Sequence, residues 1–188
     1  MFLMKDIVRE GHPSLRIKAE EVSLPLNEED SNLAKELLNY VINSQDDEMI
    51  ARYDLRPGIG IAAPQVNQSK RMFALHIDSE DELVSFVAIN PKIISHSVEQ
   101  TYLTTGEGCL SVDRVIEGYV PRYARITVTG YYLDGSPFKM RLKGLPAIAF
   151  QHELDHLNGI MFYDRINTTD PFAEIPNSIP YERKTVED

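Results

Sequence analysis

Apolar residues recur along the chain with two different periods, and the first of them is helical. In the stretch SNLAKELLNYVINS, Leu33, Leu37, Tyr40 and Val41 recur at the spacing of one helix face. Three acidic residues at 28–30 come just before it and complement the positive end of a helix dipole. The pattern predicts a helix with one face turned toward a core.

A period of two replaces the helical period after Arg71. The stretches RMFALHID and LVSFVAINP are rich in Phe, Val and Ile, as strands are, and Pro91 is expected to end the second. RITVTGYYL and PFKMRLKG flank Asp134 and Gly135, a pair typical of a tight turn. The sequence therefore predicts an antiparallel sheet that contains a hairpin.

The stretch LPAIAFQHELDHLNG predicts a late helix. Pro146 suits the first turn of a helix, where its missing N–H is not needed, and Asn158 with Gly159 supplies a C-terminal stop. Leu154 and Leu157 are apolar on the face opposite the histidines, so we expect this helix to be buried on nearly all sides. Mainly antiparallel sheets around a buried helix place the chain in the α+β class.

Two polar segments are predicted to lack regular structure. The stretch QDDEMIARYDLRPG is predicted as a loop. The prolines at 171, 176 and 180 cannot lie inside one continuous helix. We expect a single domain over residues 1–188 with an irregular tail at 168–188, because this length suits one domain and no linker or repeat divides it.

Charge and composition narrow the class of protein. The chain carries 19 Lys and Arg against 29 Asp and Glu, a formal net charge of −10, which disfavours a surface that follows nucleic-acid phosphates. Apolar runs are too short to cross a membrane, and charges interrupt the segment that a signal peptide would keep apolar. With Cys109 as its single cysteine, the chain cannot form an internal disulfide. We expect a cytoplasmic protein with no direct nucleic-acid or membrane partner.

The motif QHELDHLNG carries the strongest chemical signal. His152 and His156 lie four residues apart on the predicted helix, so their imidazoles are about 40° apart around its axis and can reach one metal ion. Glu153 between them supplies a carboxylate that can take a proton from metal-bound water. The alternative is a pair of core histidines bonded to backbone, since buried imidazoles need partners. The pattern with Glu153 favours a catalytic metal centre.

A third metal ligand has to come from another segment. Cys109 lies in EGCLS, and the nearby Gly106 and Gly108 allow the backbone to approach a metal or a substrate closely. A free cysteine is often only a small buried apolar side chain, and the residues alone leave that interpretation open. One Cys with two His would leave a fourth coordination position open, as in catalytic sites.

The segment GIGIAAPQV matches the G-x-G-x-x-A pattern of a dinucleotide-binding site, but its flanking residues do not suit one. It follows a polar stretch instead of a strand, and Pro64 falls in the first turns of the helix that would bind the phosphates. Its glycines better suit a backbone that approaches a ligand, with Gln65 presenting a side-chain amide. An ordinary tight turn followed by a solvated glutamine is the open alternative.

The segments GIGIAAPQ, EGCLS and QHELDHLNG occur in this order in the peptide deformylases, which the chain resembles over about residues 4–167. DIVREGHPSLR near the start also looks like the opening of that family. The resemblance implies a monomeric α+β domain whose metal is held by Cys109, His152 and His156. The implied metal is Fe²⁺, with Ni²⁺ or Co²⁺ as active substitutes and Zn²⁺ as a poor one, whereas the ligand types alone suggest zinc.

The resemblance also implies a reaction, the hydrolysis of the formyl group from N-formylmethionine at the start of newly made proteins. Glu153 would take a proton from the attacking water and pass it to the departing amine, releasing formate. The Gln65 amide, the Leu110 backbone N–H and the metal would stabilise the oxyanion.

Substrate binding would involve three further residues. Ile148 lies one helical turn before His152 and would form an apolar wall for the methionine side chain. Ile59 is the second wall by resemblance. Backbone groups of Gly60 and Leu110 would pair with the backbone of N-formylmethionyl nascent peptides.

Two features resemble the Gram-positive type II branch of this family, namely the extra residues at about 43–57 and the non-helical ending. Some relatives dock on the ribosome through a C-terminal helix. The prolines of the tail argue against that docking mode, so we expect only a transient proximity to the ribosome.

Two rival functions are compatible with parts of the pattern. A zinc endopeptidase shares the His-Glu-x-x-His motif, and although no His or Cys follows His156, the carboxylates of Asp164, Asp170 and Glu174 stay open as a third ligand. A non-catalytic homologue that binds formylated peptides would be expected to have lost Glu153, Gln65 or a ligand, and all are present.

Overall fold

Two β-sheets and the last α-helix enclose the segments that carry the predicted chemistry. The computed structural model describes residues 1–78 and 83–183, and these contain three α-helices and eight strands. The helices are α1 (Glu28–Asn43), α2 (Asp47–Tyr53) and α3 (Gly144–Leu157). The strands are β1 (Gly60–Ala62), β2 (Met72–Asp78), β3 (Leu83–His96), β4 (Gln100–Leu103), β5 (Arg122–Tyr123), β6 (Arg125–Tyr131), β7 (Pro137–Lys143) and β8 (Ser178–Tyr181).

The larger sheet is antiparallel throughout, with the strand order β1-β2-β3-β6-β7. Its hairpin β6–β7 turns at Asp134 and Gly135, as the sequence predicts, and pairs Arg125 with Lys143 at its open end. The smaller sheet has the order β5-β4-β8. These mainly antiparallel sheets around a buried helix confirm the α+β prediction.

Helix α3 packs between the sheets, and this position fixes the site. Ten of its side chains are buried, on several faces of the helix, as the apolar residues on both sides predict. Phe150 is fully buried and meets Phe73 of β2 edge to face, with ring centroids 4.9 Å apart. Burying a side chain of this size contributes about 1.5–3 kcal/mol. The helix ends at Asn158 and Gly159, where Gly159 has a φ of +71°.

The segment predicted as a loop before the first glycine motif contains helix α2, so that prediction is wrong for Asp47–Tyr53. The Asp46 side chain accepts a hydrogen bond from the Met49 backbone N–H at 2.9 Å and caps the helix. Met49, Ile50 and Tyr53 then pack against the core cluster that contains α1. Tertiary packing stabilises a helix too short to form by itself.

Strand β3 continues beyond Pro91, where the sequence predicted that it would end. One extra residue between Ile89 and Lys92 forms a β-bulge against β6, and Asn90 takes a φ of +48°. A bulge interrupts the regular ladder, so it tolerates a proline without an N–H.

The tail predicted to be irregular over 168–188 contains strand β8, so the prediction is wrong for Ser178–Tyr181. The strand runs parallel to β4 and lies at the edge of its sheet, where Pro180 is tolerated. Residues 184–188 of this predicted tail lie outside the described residues. None of the helices within 1–78 and 83–183 is both long and apolar enough to cross a membrane.

Candidate active site

The three predicted metal ligands lie together. One ligand atom from each of Cys109, His152 and His156 lies within 4.8 Å of the other two. Helix α3 presents both histidines, and the segment between β4 and β5 brings Cys109 to them. The Cys109 Sγ lies 3.3 Å from the His156 Nε2. A thiolate and two imidazoles suit a transition-metal dication.

Glu107 fixes the orientation of His152. Its Oε2 lies 2.8 Å from the His152 Nδ1, so that nitrogen is the one that donates and Nε2 is left for a metal. Arg122 holds the carboxylate with two hydrogen bonds of 2.8 Å, from Nε to Oε1 and from Nη2 to Oε2. Burial alone would raise the pKa of Glu107, but the charge and hydrogen bonds of Arg122, with a smaller effect from His152, lower it to about 2.

A series of paired charges continues from Glu107 through Arg122 and Asp155 to Arg165. The Arg122 Nη1 donates to the Asp155 Oδ2 at 2.5 Å, and Asp155 also accepts two hydrogen bonds of 2.6 Å from Arg165. The side chains of Arg122 and Asp155 are only 1% and 6% exposed. Asp155 lies between the two histidines on α3, so this series of pairs ties the ligand helix to the rest of the fold.

Glu153 is buried beside the predicted ligands. Burial raises its pKa to about 7. Its Oε2 and the His156 Nδ1 are buried without a hydrogen-bond partner among the described residues. A Cβ placed on Gly60 would meet the Glu153 Oε1 and would lie 2.9 Å from both Cγ and Cδ. The absence of a side chain at Gly60 therefore lets the carboxylate lie against β1.

Gln65 is held so that its amide N–H faces the ligands. Its Oε1 accepts a hydrogen bond from the Ala62 backbone N–H at 2.9 Å. Its Nε2 donates to the Ser111 Oγ at 3.2 Å and lies 3.5 Å from the Cys109 Sγ. The side chain is 1% exposed, so the solvated glutamine of the alternative interpretation is wrong.

A cavity of about 440 Å³ opens above these groups. Its walls include the glycine motif of β1, the segment from β4 to Leu110 and one face of α3. The predicted site residues that line it are Ile59, Gly60, Gln65, Cys109, Leu110, Ile148, His152 and Glu153. His156 completes the ligand cluster below them.

Sequence reasoning missed Glu107, Ser111, Arg122 and Asp155. Glu107 and Ser111 lie inside the EGCLS motif, and a charged residue in that small segment was the available signal. Arg122 and Asp155 are recognisable only once their partners in space are known.

Comparison with known proteins decides the family. Residues 4–172 match the family model described as polypeptide deformylase. The chain belongs to this family. It is 64% identical over 184 residues to peptide deformylase 2 of Geobacillus stearothermophilus, covering 97% of this chain and 100% of the relative. Peptide deformylase 2 of Bacillus subtilis is 55% identical with the same coverage, and these relatives place the deformylase in the Gram-positive type II branch.

Solved structures agree with this assignment. A probable peptide deformylase from Synechococcus phage S-SSM7 matches with a TM-score of 0.70 and 36% identity, covering 85% of this chain and 98% of the other. As a deformylase, the chain is a metal-dependent hydrolase that removes the N-formyl group from nascent peptides. Neither the endopeptidase nor the non-catalytic alternative is favoured.

Proposed function

We propose that this chain removes the formyl group of N-formylmethionyl peptides with Glu153 as the general base and with Cys109, His152 and His156 as metal ligands. The observation that carries the proposal is a buried carboxylate in the same cavity as Cys109 and His152 of the Cys-His-His cluster, with an Oε2 that has no hydrogen-bond partner among the described residues. The orphaned Glu153 Oε2 and the thiolate-imidazole donor set both fit a bound dication. When bound, that metal lowers the pKa of water and polarises a carbonyl oxygen.

Fe²⁺ is our proposal for the native metal, with Ni²⁺ or Co²⁺ as active substitutes and Zn²⁺ as a poor one. One thiolate and two imidazoles bind each of these ions, so reconstitution with single metals is the measurement that ranks them. Loading has to be done without oxygen, because an accessible thiolate beside ferrous iron is prone to oxidation.

Glu153 accepts a proton from the attacking water and later delivers it to the amine that leaves. Its place against Gly60 keeps the carboxylate at one end of the cavity, next to the ligands. The buried surroundings exclude bulk water from Oε2, so the proton stays with the reacting groups.

Gln65 and Leu110 stabilise the negative charge that develops on the formyl oxygen. The bond from Ala62 holds the Gln65 side chain in one orientation before substrate arrives, with its N–H toward the ligands. The Leu110 N–H makes no hydrogen bond within the described residues, so it is free to donate to the same oxygen. Preorganised donors of this kind need no rearrangement during the reaction.

The methionine side chain enters the apolar part of the cavity, between Ile148 of α3 and Ile59. Strand β1 is the edge of its sheet, so the backbone at Gly60 is available to pair with an extended peptide. A solved class I type b deformylase of Acinetobacter baumannii is described as bound to Met-Ala-Ser, with a TM-score of 0.68, 31% identity and coverage of 85% of this chain and 96% of that one. Selectivity for formyl follows from crowding that leaves room only for hydrogen on the carbonyl carbon.

The cellular setting belongs to the same proposal. Residues 1–188 act as one catalytic domain in the cytoplasm, as a monomer, on nascent chains close to the ribosome. The acidic net charge of −10 supports an encounter through the peptide, without direct contact to RNA or membrane. Sedimentation of the purified protein tests the monomer.

The test is formate release from formyl-Met-Ala-Ser by protein purified without oxygen and loaded with Fe²⁺ or Ni²⁺. We expect formate and a free methionine amine from this peptide, and neither acetate nor a free amine from acetyl-Met-Ala-Ser. Glu153→Gln is the matched variant, because it keeps the shape of the side chain and the metal but removes the base. Wild-type protein with a full complement of metal and no formate release would contradict the proposal.

A further inference from the structure

The C-terminal strand carries a basic side chain to the active-site cavity. Strand β8 pairs with β4 in parallel, and Leu103 lies opposite Tyr181. Thr105 lies two residues beyond Leu103, and Arg183 lies two residues beyond Tyr181. Both residues line the cavity that contains Glu153. The parallel register therefore places Arg183 beside the segment that leads from β4 to the metal ligands.

Several contacts fix the position of β8. The Thr101 Oγ1 donates to the Ile179 carbonyl at 2.8 Å, and the Thr104 N–H donates to the Tyr181 carbonyl at 3.2 Å. A Cβ placed on Gly144, the first residue of α3, would lie 3.1 Å from the Tyr181 ring. Arg183 thus follows an anchored residue by two positions.

Arg183 lines the cavity and has no ion-pair partner within the part of the chain that the structure describes. The other arginine that lines the cavity, Arg56, donates to the Asp113 Oδ1 at 2.5 Å and to the Val112 carbonyl at 3.1 Å. Within residues 1–78 and 83–183, no acidic side chain forms an ion pair with Arg183, which is exposed. A guanidinium with free donors at the entrance to a peptide-binding cavity suits a carboxylate, which it can bind through two parallel hydrogen bonds.

We propose that Arg183 selects substrates with an acidic side chain at one of the three positions that follow formyl-methionine. This inference rests on the proposed function. An extended peptide advances about 3.3 Å per residue, so the three residues that follow formyl-methionine lie within roughly 10 Å of it along the peptide. Because the arginine is exposed, the preference is modest, about two- to fivefold in kcat/KM for an acidic over a basic residue.

The experiment compares formyl-Met-Ala-Ala-Ser with peptides that carry Asp, Asn or Lys at the second, third or fourth position. With metal-loaded wild-type protein, we expect Asp to exceed Lys by about two- to fivefold in kcat/KM at one position, with Asn between them. Arg183→Gln should abolish that ratio, Arg183→Glu should reverse it and Arg183→Lys should retain it. Raising the salt to about 0.5 M should reduce the wild-type ratio, as screening of an exposed pair requires.

Lys139→Gln is the matched control. Lys139 is an exposed residue of β7 outside the cavity, and its replacement changes the net charge by the same amount as Arg183→Gln. We expect it to keep the wild-type ratio. An unchanged ratio in Arg183→Gln, or no preference of the wild type at any position, would overturn the inference. Failure of the proposed function is distinguishable, because the neutral peptide would then release no formate.

Discussion

Gly60→Ala tests whether the close approach of Glu153 to β1 places the general base. The new Cβ would meet the Oε1 of Glu153 and lie 2.9 Å from its Cγ and Cδ, closer than real Cβ atoms approach other atoms. The backbone of α3 cannot yield easily, because its side chains are buried on several faces. The carboxylate must therefore rotate away from its present position.

The size of the effect follows from the two roles of this contact. General base catalysis contributes about 10²- to 10⁴-fold, so a displaced Glu153 should lower kcat by that factor, or about 3–5 kcal/mol of barrier. Overpacking a buried site costs about 1–3 kcal/mol of unfolding free energy. The metal should stay bound, because the three atoms nearest to the added Cβ all belong to Glu153, which is not one of the predicted ligands.

The assay combines kcat for formyl-Met-Ala-Ser, metal content by elemental analysis and urea unfolding. Gly135→Ala in the β6–β7 turn is the control, because its Cβ meets nothing within 4 Å while its φ of +80° makes the substitution costly for stability. We expect this control to lose stability and keep kcat. A Gly60→Ala enzyme with full metal content and a kcat within about threefold of the wild type would refute the placement.

Three further outcomes follow from the same site. Gln65→Leu should lower kcat by about 10²- to 10³-fold with little change in KM, because a donor to the oxyanion is lost. A variant that keeps the wild-type kcat and loses kcat/KM only through a higher KM would contradict this. Glu107→Gln should weaken metal binding by about 10- to 100-fold in chelator competition, because His152 loses its charged partner. The metal-free protein should lose stability in acid. The pKa of Glu107 is about 2 in the folded protein and 4.5 for an ordinary glutamate. Its contribution to the free energy of unfolding, roughly 3 kcal/mol, is therefore present above pH 4.5 and is lost as the pH falls toward 2. Urea unfolding between pH 6 and 3 should show a smaller loss for Glu107→Gln, and equal losses would argue against this assignment.

Local sequence patterns predict many of the secondary-structure elements. The spacing of Leu33 and Leu37 predicts α1, and the pair Asp134–Gly135 predicts the hairpin, because each signal lies within the element that it describes. Helix α2 escaped prediction because its apolar residues face a core that only the folded chain provides. Strand β8 escaped because its partner β4 lies far away in sequence, and pairing of that kind leaves no local period.

Some residues of the site can also be predicted from local spacing, whereas others are brought together only by the fold. Two histidines four residues apart on a helix are recognisable from the sequence because helix geometry alone brings them together. Arg122 meets Glu107 across 15 positions and Asp155 across 33, and no spacing rule connects such residues. Similarly, Gly60 was expected to bind substrate through its backbone, whereas its contact with Glu153 becomes visible only when β1 packs on α3.

The charges around the site explain why its ligands and its network form one unit. Arg122 and Arg165 carry two positive charges that Glu107 and Asp155 neutralise through hydrogen-bonded pairs. An ionised Glu153 would add a buried negative charge, and no basic side chain in the described part of the chain forms an ion pair with it. A buried charge without a partner costs several kcal/mol, so a dication held at the Cys-His-His cluster would stabilise the ionised carboxylate. A dication held by the three proposed ligands would therefore also allow the proposed base to stay ionised in its buried position.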